Sequence, residues 1–472
     1  MSIMLLIILL ALCHVILFFG HNLGVNVLLF MIPLVLCIYK IAKDAKKVKN
    51  WYGFLFGIPI VILSLYYLIF NNNTFNVLNY ITILILLLMM YYSTSRDKYY
   101  IKEFFTESFK FIYKPFYYIS SFYKDLISYI KPTFKRNENR RKIWKTLLVV
   151  IPVVLFILLL LSKADETFAS LFNVIIECIE KILTFEFINK LLGKAFMFIV
   201  MCFVIGTTFM YLAKDFGKDK IEVKTKKYKD IFTIKVLVVA LNVIYIIFDI
   251  IQIQKIVHLD AFVNYSSFAR FGFFELMVVT FINMFIILLS KRFEVNEKDD
   301  RFMKIMNVIM IALTLVIIAS TFLRMHLYEL AYGYTTLRLF VDVILITEAL
   351  LMIPTVMYII NDKFNVAKSY LIIVICIYTI VSFINVDGII ATKNINRYYE
   401  GKDLDVVYLK TYTTDNIEPL LNLYNNTTDE KIKYDLETYF NMVYSFNQIN
   451  SWEEFNISKH RAIKLLEENN IR

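Results

Sequence analysis

Apolar residues gather along this chain in blocks of about 17–23, each long enough to cross about 30 Å of hydrocarbon as a helix. The blocks fall near 3–19, 25–39, 51–70, 76–93, 144–162, 195–213, 233–253, 271–289, 304–323, 337–359 and 370–386. Repeated in series, they predict an all-α polytopic integral membrane protein with about eleven transmembrane helices. Beyond them the chain turns polar, and runs such as Tyr434-Asp435-Leu436-Glu437-Thr438-Tyr439-Phe440 read as short amphipathic helices of a small tail domain. The expected organisation is a group of four spans over 1–93 and a basic amphipathic segment over 94–143. A core of seven spans over 144–386 and an acidic helical tail over 387–472 follow.

The polar stretches between spans alternate in charge. Loop 40–50 holds Lys40, Lys43, Lys46, Lys47 and Lys49, and segment 94–143 is strongly basic. Loops 214–230 and 290–303 are lysine- and arginine-rich, whereas 20–24 and 71–75 contain no base. By the positive-inside rule the N-terminus is cytoplasmic, and an odd number of spans puts the tail outside. Trp51 and Trp144 stand at cytoplasmic span ends, as interfacial anchors do. The first span lacks the basic start and small-residue cleavage site of a signal peptide and reads as an uncleaved helix.

Two connectors read as helices lying on the bilayer. In the outer one, 164–185, Phe168, Leu171, Phe172, Ile175, Ile179 and Ile182 recur at helical spacing, opposite Glu166, Glu177 and Glu180. The inner one, 94–143, interleaves Phe104, Phe105, Phe109, Phe111, Phe116 and Phe122 with lysines. Such interleaving also suits single-stranded nucleic acid. Tethered between spans, it favours a surface of anionic lipid instead, and no nucleic-acid partner is expected. In the tail, Asp415 with Glu418, Thr427 with Glu430 and Ser451 with Glu454 have capping-box spacing. Asn456-Ile457-Ser458 matches a glycosylation acceptor by pattern alone.

Composition sharpens this picture. Hydrophobic residues make up 59% of the 472, above the roughly half expected of a soluble domain. The formal charge of +11 conceals a tail, 385–472, with ten bases against fourteen acids. The five cysteines show no metal or redox spacing, and none lies in the tail. No phosphate-binding glycine loop, HExxH, GxSxG or kinase set is present, so no catalytic residue, metal or cofactor is assigned. Gly53 and Gly57 form a GxxxG suited to close helix packing.

The strongest chemical signal is charge at the outer ends of spans seven to ten: Asp249, Arg270, Glu275, Arg324, His326, Glu329, Arg338 and Asp342. Charge at bilayer depth is costly, so it faces a protein interior or a wet cavity. These residues read either as a pocket for a small ligand or ion, or as an ion-pair cluster ordering helix ends; Arg338 and Asp342, one turn apart, suit pairing. Glu348 lies deeper, either as an intramembrane carboxylate that carries protons or an ion, or as a neutral group hydrogen-bonded to a neighbouring helix. His14, His21 and His258 lie on distant segments and make a poor metal set.

The segment Phe268-Ala269-Arg270-Phe271-Gly272-Phe273-Phe274-Glu275-Leu276 and the run from Arg324 to Arg338, with Leu327-Tyr328-Glu329 and Ala331-Tyr332-Gly333 inside it, carry a resemblance. So do Asn385-Val386-Asp387, Asn394-Ile395-Asn396-Arg397-Tyr398 and Ala164-Asp165-Glu166-Thr167-Phe168. Together they resemble an uncharacterised bacterial membrane-protein family, domain of unknown function 4173, related to the 4153 group. One departure is Gly388, where the resemblance implies a larger, often aromatic residue. The resemblance implies a bacterial cytoplasmic membrane location and singles out the outer cluster, but implies no reaction. Three functions fit the sequence. One is a non-catalytic envelope component that senses or scaffolds, with an envelope protein or small ligand as its outer partner. The others are a secondary transporter and a membrane enzyme acting on a lipid-linked or envelope substrate.

Overall fold

A computed structural model describes residues 3–96, 101–130, 146, 150, 186–216, 231–257, 273–294, 301–361, 363–411 and 413–471. They form helices α1 (Ile3–Phe18), α2 (Val25–Asp44), α3 (Gly57–Ile69), α4 (Asn73–Ser95), α5 (Ile101–Tyr113), α6 (Ile119–Ile130) and α7 (Glu186–Lys214). Then come α8 (Ile231–Val257), α9 (Phe273–Glu294), α10 (Arg301–Tyr332), α11 (Thr336–Ile360) and α12 (Val366–Ser382). The tail holds α13 (Val386–Tyr399), α14 (Val406–Leu409), α15 (Ile417–Asn426), α16 (Glu430–Phe446) and α17 (Ile457–Glu468). No strand occurs among the described residues. Among the described residues eight helices are long and apolar enough to cross a membrane, and α12 with α13, bent by 61°, makes a ninth candidate. The 16-residue α1 is shorter, and the expected span 144–162 and amphipathic helix 164–185 lie outside the described residues.

By packing, the chain groups into one unit of Met1–Ile58 with Ile85–Ile221 and a second of Pro59–Leu84 with Glu222–Arg472. In the first, α1 and α2 pack on α7. Lys47 donates from Nζ to the carbonyls of Leu212 (2.8 Å) and Phe216 (3.0 Å), a cation at the negative end of α7. Glycine permits close approach at the expected GxxxG: a Cβ on Gly57 would stand 3.1 Å from Val35 Cγ1, and one on Gly53 would overlap Thr94. The described part of the basic connector lies against α7. Phe122, fully buried on α6, fills the space left by Gly206, and Glu107 on α5 meets Lys110 at 3.0 Å and accepts from the Tyr211 hydroxyl at 3.3 Å. The opposite face of α5 and the turn after it exposes Phe105, Phe109, Ile112 and Phe116.

In the second unit α8, α9, α10 and α11 form a bundle around Met277, Ile287, Met310, Ile318, Met325, Leu345 and Met352. α10 and α8 run parallel and α9 antiparallel to them. Asn242 midway along α8 bonds Met306 O near the start of α10 (3.0 Å) and Gln252 further along α8 meets Arg324 further along α10, while Ser290 late in α9 bonds Asn307 early in α10 (2.7 Å). The last span ends earlier than its apolarity predicts. Its helix runs Val366–Ser382, and Asn385 caps a new helix by accepting from Gly388 N at 2.8 Å. A Cβ on Gly388 would meet Asn385 Nδ2 at 2.6 Å, which accounts for a glycine here.

The tail packs Leu409, Leu420, Leu423, Leu436, Phe440 and Leu466 into its own core. Its caps differ from the expected boxes. Asp429, not Thr427, caps α16, accepting from Lys431 N (2.9 Å) and Ile432 N (3.3 Å). Ser451 makes no cap bond, and Glu454 instead accepts from Asn450 N at 2.7 Å. Asp415 makes no capping box, because its carboxylate is drawn to the backbone of Asn71.

Candidate functional site

Polar side chains line the bundle interior at helical spacing. On α8, Asn242, Tyr245, Asp249 and Gln252 share one face; all but the half-buried Tyr245 are buried. Thr280, Asn283 and Ser290 do the same on α9, and Asn307, Thr314, Thr321 and Arg324 on α10. They bond in successive layers. Tyr245 donates its hydroxyl to Asn283 Oδ1 at 2.6 Å, and Asn283 Nδ2 donates to Thr314 Oγ1 at 3.1 Å. Arg324 donates to Gln252 Oε1. At the far end of the bundle Lys291, buried on α9, donates to Ile359 O at the C-terminus of α11 (3.1 Å), where the helix dipole welcomes a cation. In hydrocarbon such groups find partners in one another.

Glu348 is 2% exposed, and Thr280 Oγ1 lies 2.5 Å from its Oε2, while Oε1 has no partner among the described residues. Asp249 is 4% exposed, with neither carboxylate oxygen hydrogen-bonded among the described residues. Glu329 is buried within electrostatic range of Asp342, Arg338 and Lys393, and among the described residues neither its Oε1 nor Oδ1 of the half-buried Asp342 has a hydrogen-bond partner.

Arg338 is not held by the acids around it. Among the described residues no ion pair joins Arg338 to Asp249, Glu329 or Asp342. Arg338 instead donates to Gly333 O and lies over the Tyr328 ring, 4.2 Å from its centroid, closing the turn between α10 and α11. Glu275 and His326 are exposed, outside the buried group. Arg270 and His258 lie outside the described residues. His14 packs between Phe18 and Phe30, and among the described residues no group of three or more His, Cys, Asp or Glu could hold a metal ion.

The turn is the second feature. Gly333 has φ +90°, and a Cβ there would meet Arg397 Nη1 and Asn394 Oδ1 at 2.7 Å, so glycine is required twice over. Asn394 accepts from Tyr334 N and donates to Tyr334 O, both at 2.8 Å. Arg397 donates to the carbonyls of Leu330 (3.1 Å) and Ala331 (2.9 Å), the free end of α10. A matching clasp holds the end of α3. Asn71 N donates to both Asp415 oxygens (3.1 and 2.9 Å), Asn72 Nδ2 donates to Asp387 Oδ1 (2.6 Å), and Asn456 Nδ2 donates to Tyr67 O and Phe70 O (2.8 Å each). Asn456 is thus fully engaged and 1% exposed, which closes it to glycosylation. A cavity of about 130 Å³ beside the clasp is lined by Phe70, Asp415, Ser458 and Leu465, with the Arg461–Glu418 pair (2.8 Å) among its walls.

The segments whose resemblance was noted from sequence, Arg324–Arg338 and Asn394–Tyr398, are therefore the two sides of one contact. The profile of the family described as Domain of unknown function (DUF4153) matches residues 57–423. The chain belongs to this family. Its match spans α3 to the middle of α15, and so takes in the bundle, the Gly333 turn and the Asn71–Asp415 half of the α3 clasp. No curated protein and no solved structure matches the chain. For this family member the sequence had marked the end charges and Glu348, but had passed over the interior layer of Asn242, Tyr245, Gln252, Thr280 and Asn283. The legible signal was their three- and four-residue spacing inside otherwise apolar spans.

Proposed function

We propose that this protein is a non-catalytic component of the bacterial cell envelope that senses or scaffolds through its polar tail. In this reading it sits in the cytoplasmic membrane with its N-terminus inside and its tail outside, within the 4173 branch of its family. The observation that carries the reading is the clasp of Asn394 and Arg397 on the Gly333 turn. It ties the tail to the bundle end where the buried Glu329 and half-buried Asp342 each keep one oxygen without a hydrogen-bond partner among the described residues, so a load or ligand on the tail acts on those charges. The exposed aromatic face of α5 supports a seat on the bilayer surface, with anionic lipid at the cytoplasmic leaflet as partner.

The test is a deletion strain complemented with Arg397→Ala. Loss of complementation at normal membrane levels, with a tail newly sensitive to protease, is expected. Full complementation by a released tail overturns the reading. The unpartnered intramembrane carboxyls favour a second reading, a secondary transporter. Ion-driven solute flux in proteoliposomes, abolished by Glu348→Gln, would establish it in place of the first.

A further inference from the structure

We propose that the α8–α11 bundle is a proton-binding site, in which Asp249 and Glu348 take up and release protons within the membrane-spanning region. The argument begins with depth. Asp249 lies eight residues before Val257, the end of α8, and Glu348 twelve residues after Thr336, the start of α11. At 1.5 Å per residue they stand about 12 and about 18 Å below the same bundle end. Asp342 and Glu329 lie shallower, so the acids step inward from that end.

Hydrogen count gives the second support. The Thr280 hydroxyl has one hydrogen but stands 2.7 Å from Met277 O and 2.5 Å from Glu348 Oε2. Donated to Glu348 Oε2, that single hydrogen serves one carboxyl oxygen and leaves Oε1 with no donor among the described residues. Asp249 has no donor to either oxygen among the described residues, and a bare carboxylate 4% exposed in a bundle is far more costly than a neutral acid. A metal would need several such ligands, and no group of three or more His, Cys, Asp or Glu among the described residues provides them. The proton is the ligand these sites accept: it arrives from water at the Glu329 end, adds to one carboxylate oxygen, and leaves to water by the same route.

Other charged groups set the balance. On the helices packed against α8 and α11 these are Arg324, His326 and Glu329 on α10 and Glu275 on α9 toward the Glu329 end, with Arg301 and Lys304 on α10 and Lys291, Arg292 and Glu294 on α9 toward the other. Lys368 stands on α12 and Lys393 on α13, while Arg338 and Asp342 lie on α11 itself. Two occupied sites leave the bundle two charges more positive than two empty ones, which gives the tail-sensing reading a signal that does not depend on a tail partner.

Infrared difference spectroscopy on the full-length protein in lipid, stepped between acidic and alkaline buffer, tests this. Among the protonated-carboxyl bands that appear in acid and vanish in alkali, two should belong to these sites. Asp249→Asn should remove one and Glu348→Gln the other, while Asp249→Glu and Glu348→Asp should shift their bands without abolishing them. Should an amide variant fail to fold, the shift in its conservative partner carries the assignment. Absence of such bands, or bands unchanged by pH or by all four variants, overturns the proposal. Because the readout is spectroscopic, it is separate from the complementation test of the tail.

Discussion

Asn394 spends both ends of its side-chain amide on a single residue, accepting from Tyr334 N and donating to Tyr334 O at 2.8 Å each. This two-way bond substitutes a side chain for the strand or helix partner that the turn residue lacks. It also joins a tail helix to the bundle across a separation of 60 residues.

Asn394→Ala should therefore strand two buried backbone groups, at about 1–3 kcal/mol each. Gly333→Ala should destabilise by about 1–2 kcal/mol from the left-handed backbone alone, before its clash with Arg397. Thermal unfolding in detergent should fall for both, and trypsin should cut the tail first. Unchanged melting in Gly333→Ala would mean that the turn is not held as described.

Cysteines at Asn71 and Thr413 should crosslink efficiently, since Thr413 Oγ1 donates to Asn71 O at 2.5 Å. Labelling either cysteine singly with a membrane-impermeant maleimide on intact cells then reports the side. Labelling from outside is expected for both, and labelling of neither would invert the proposed orientation.

Burial pushes the Asp415 carboxyl up from its ordinary value of 3.8, against the pull of hydrogen bonds from Ser458 and from the Asn71 and Asn72 backbone. The docked tail then binds a proton more readily than the unfolded one. Its contribution is fully present below the unfolded value and is lost as pH rises through the folded one. Protease resistance of the tail should decline from acidic toward neutral pH, and Asp415→Asn should flatten that slope. A slope of opposite sign would show that the hydrogen bonds outweigh burial.

A peptide of residues 101–130 should gain helicity on anionic vesicles through Phe105, Phe109, Ile112 and Phe116, and dissociate in part at high salt. Phe109→Asp should weaken that binding without unfolding the whole protein, because the side chain is 69% exposed and bears little on packing. Equal binding to neutral vesicles at any salt would remove the electrostatic half of the claim.

Most of the fold is legible in the sequence because a bilayer enforces a simple length rule, and 3.6-residue spacing then sorts faces. The end of the last span was misjudged because apolarity continues through Phe383 and Ile384, while the break is made by Asn385 turning its side chain to Gly388 N. The partner of Arg338 is not legible, since pairing by opposite charge overlooks a backbone carbonyl such as Gly333 O. The clasp of Asn71 and Asn72 was invisible for a different reason: its partners lie hundreds of residues away, and nothing in a local pattern reports them.

That distance has a consequence for biosynthesis. Asn71 leaves the ribosome 344 residues before the Asp415 carboxylate that binds it, and every helix of the α8–α11 bundle is made in between. The hairpin between α3 and α4 has its own cap, Asn72 Oδ1 accepting from Phe75 N at 2.9 Å, but must wait for its tail partners until the intervening spans have threaded the membrane. A single span skipped or inserted twice delivers the tail to the wrong side of the bilayer, where Asp415 and Asn456 cannot reach it. Closure of the clasp is thus a parity check on insertion, passed only when the number of crossings between residues 72 and 413 is even.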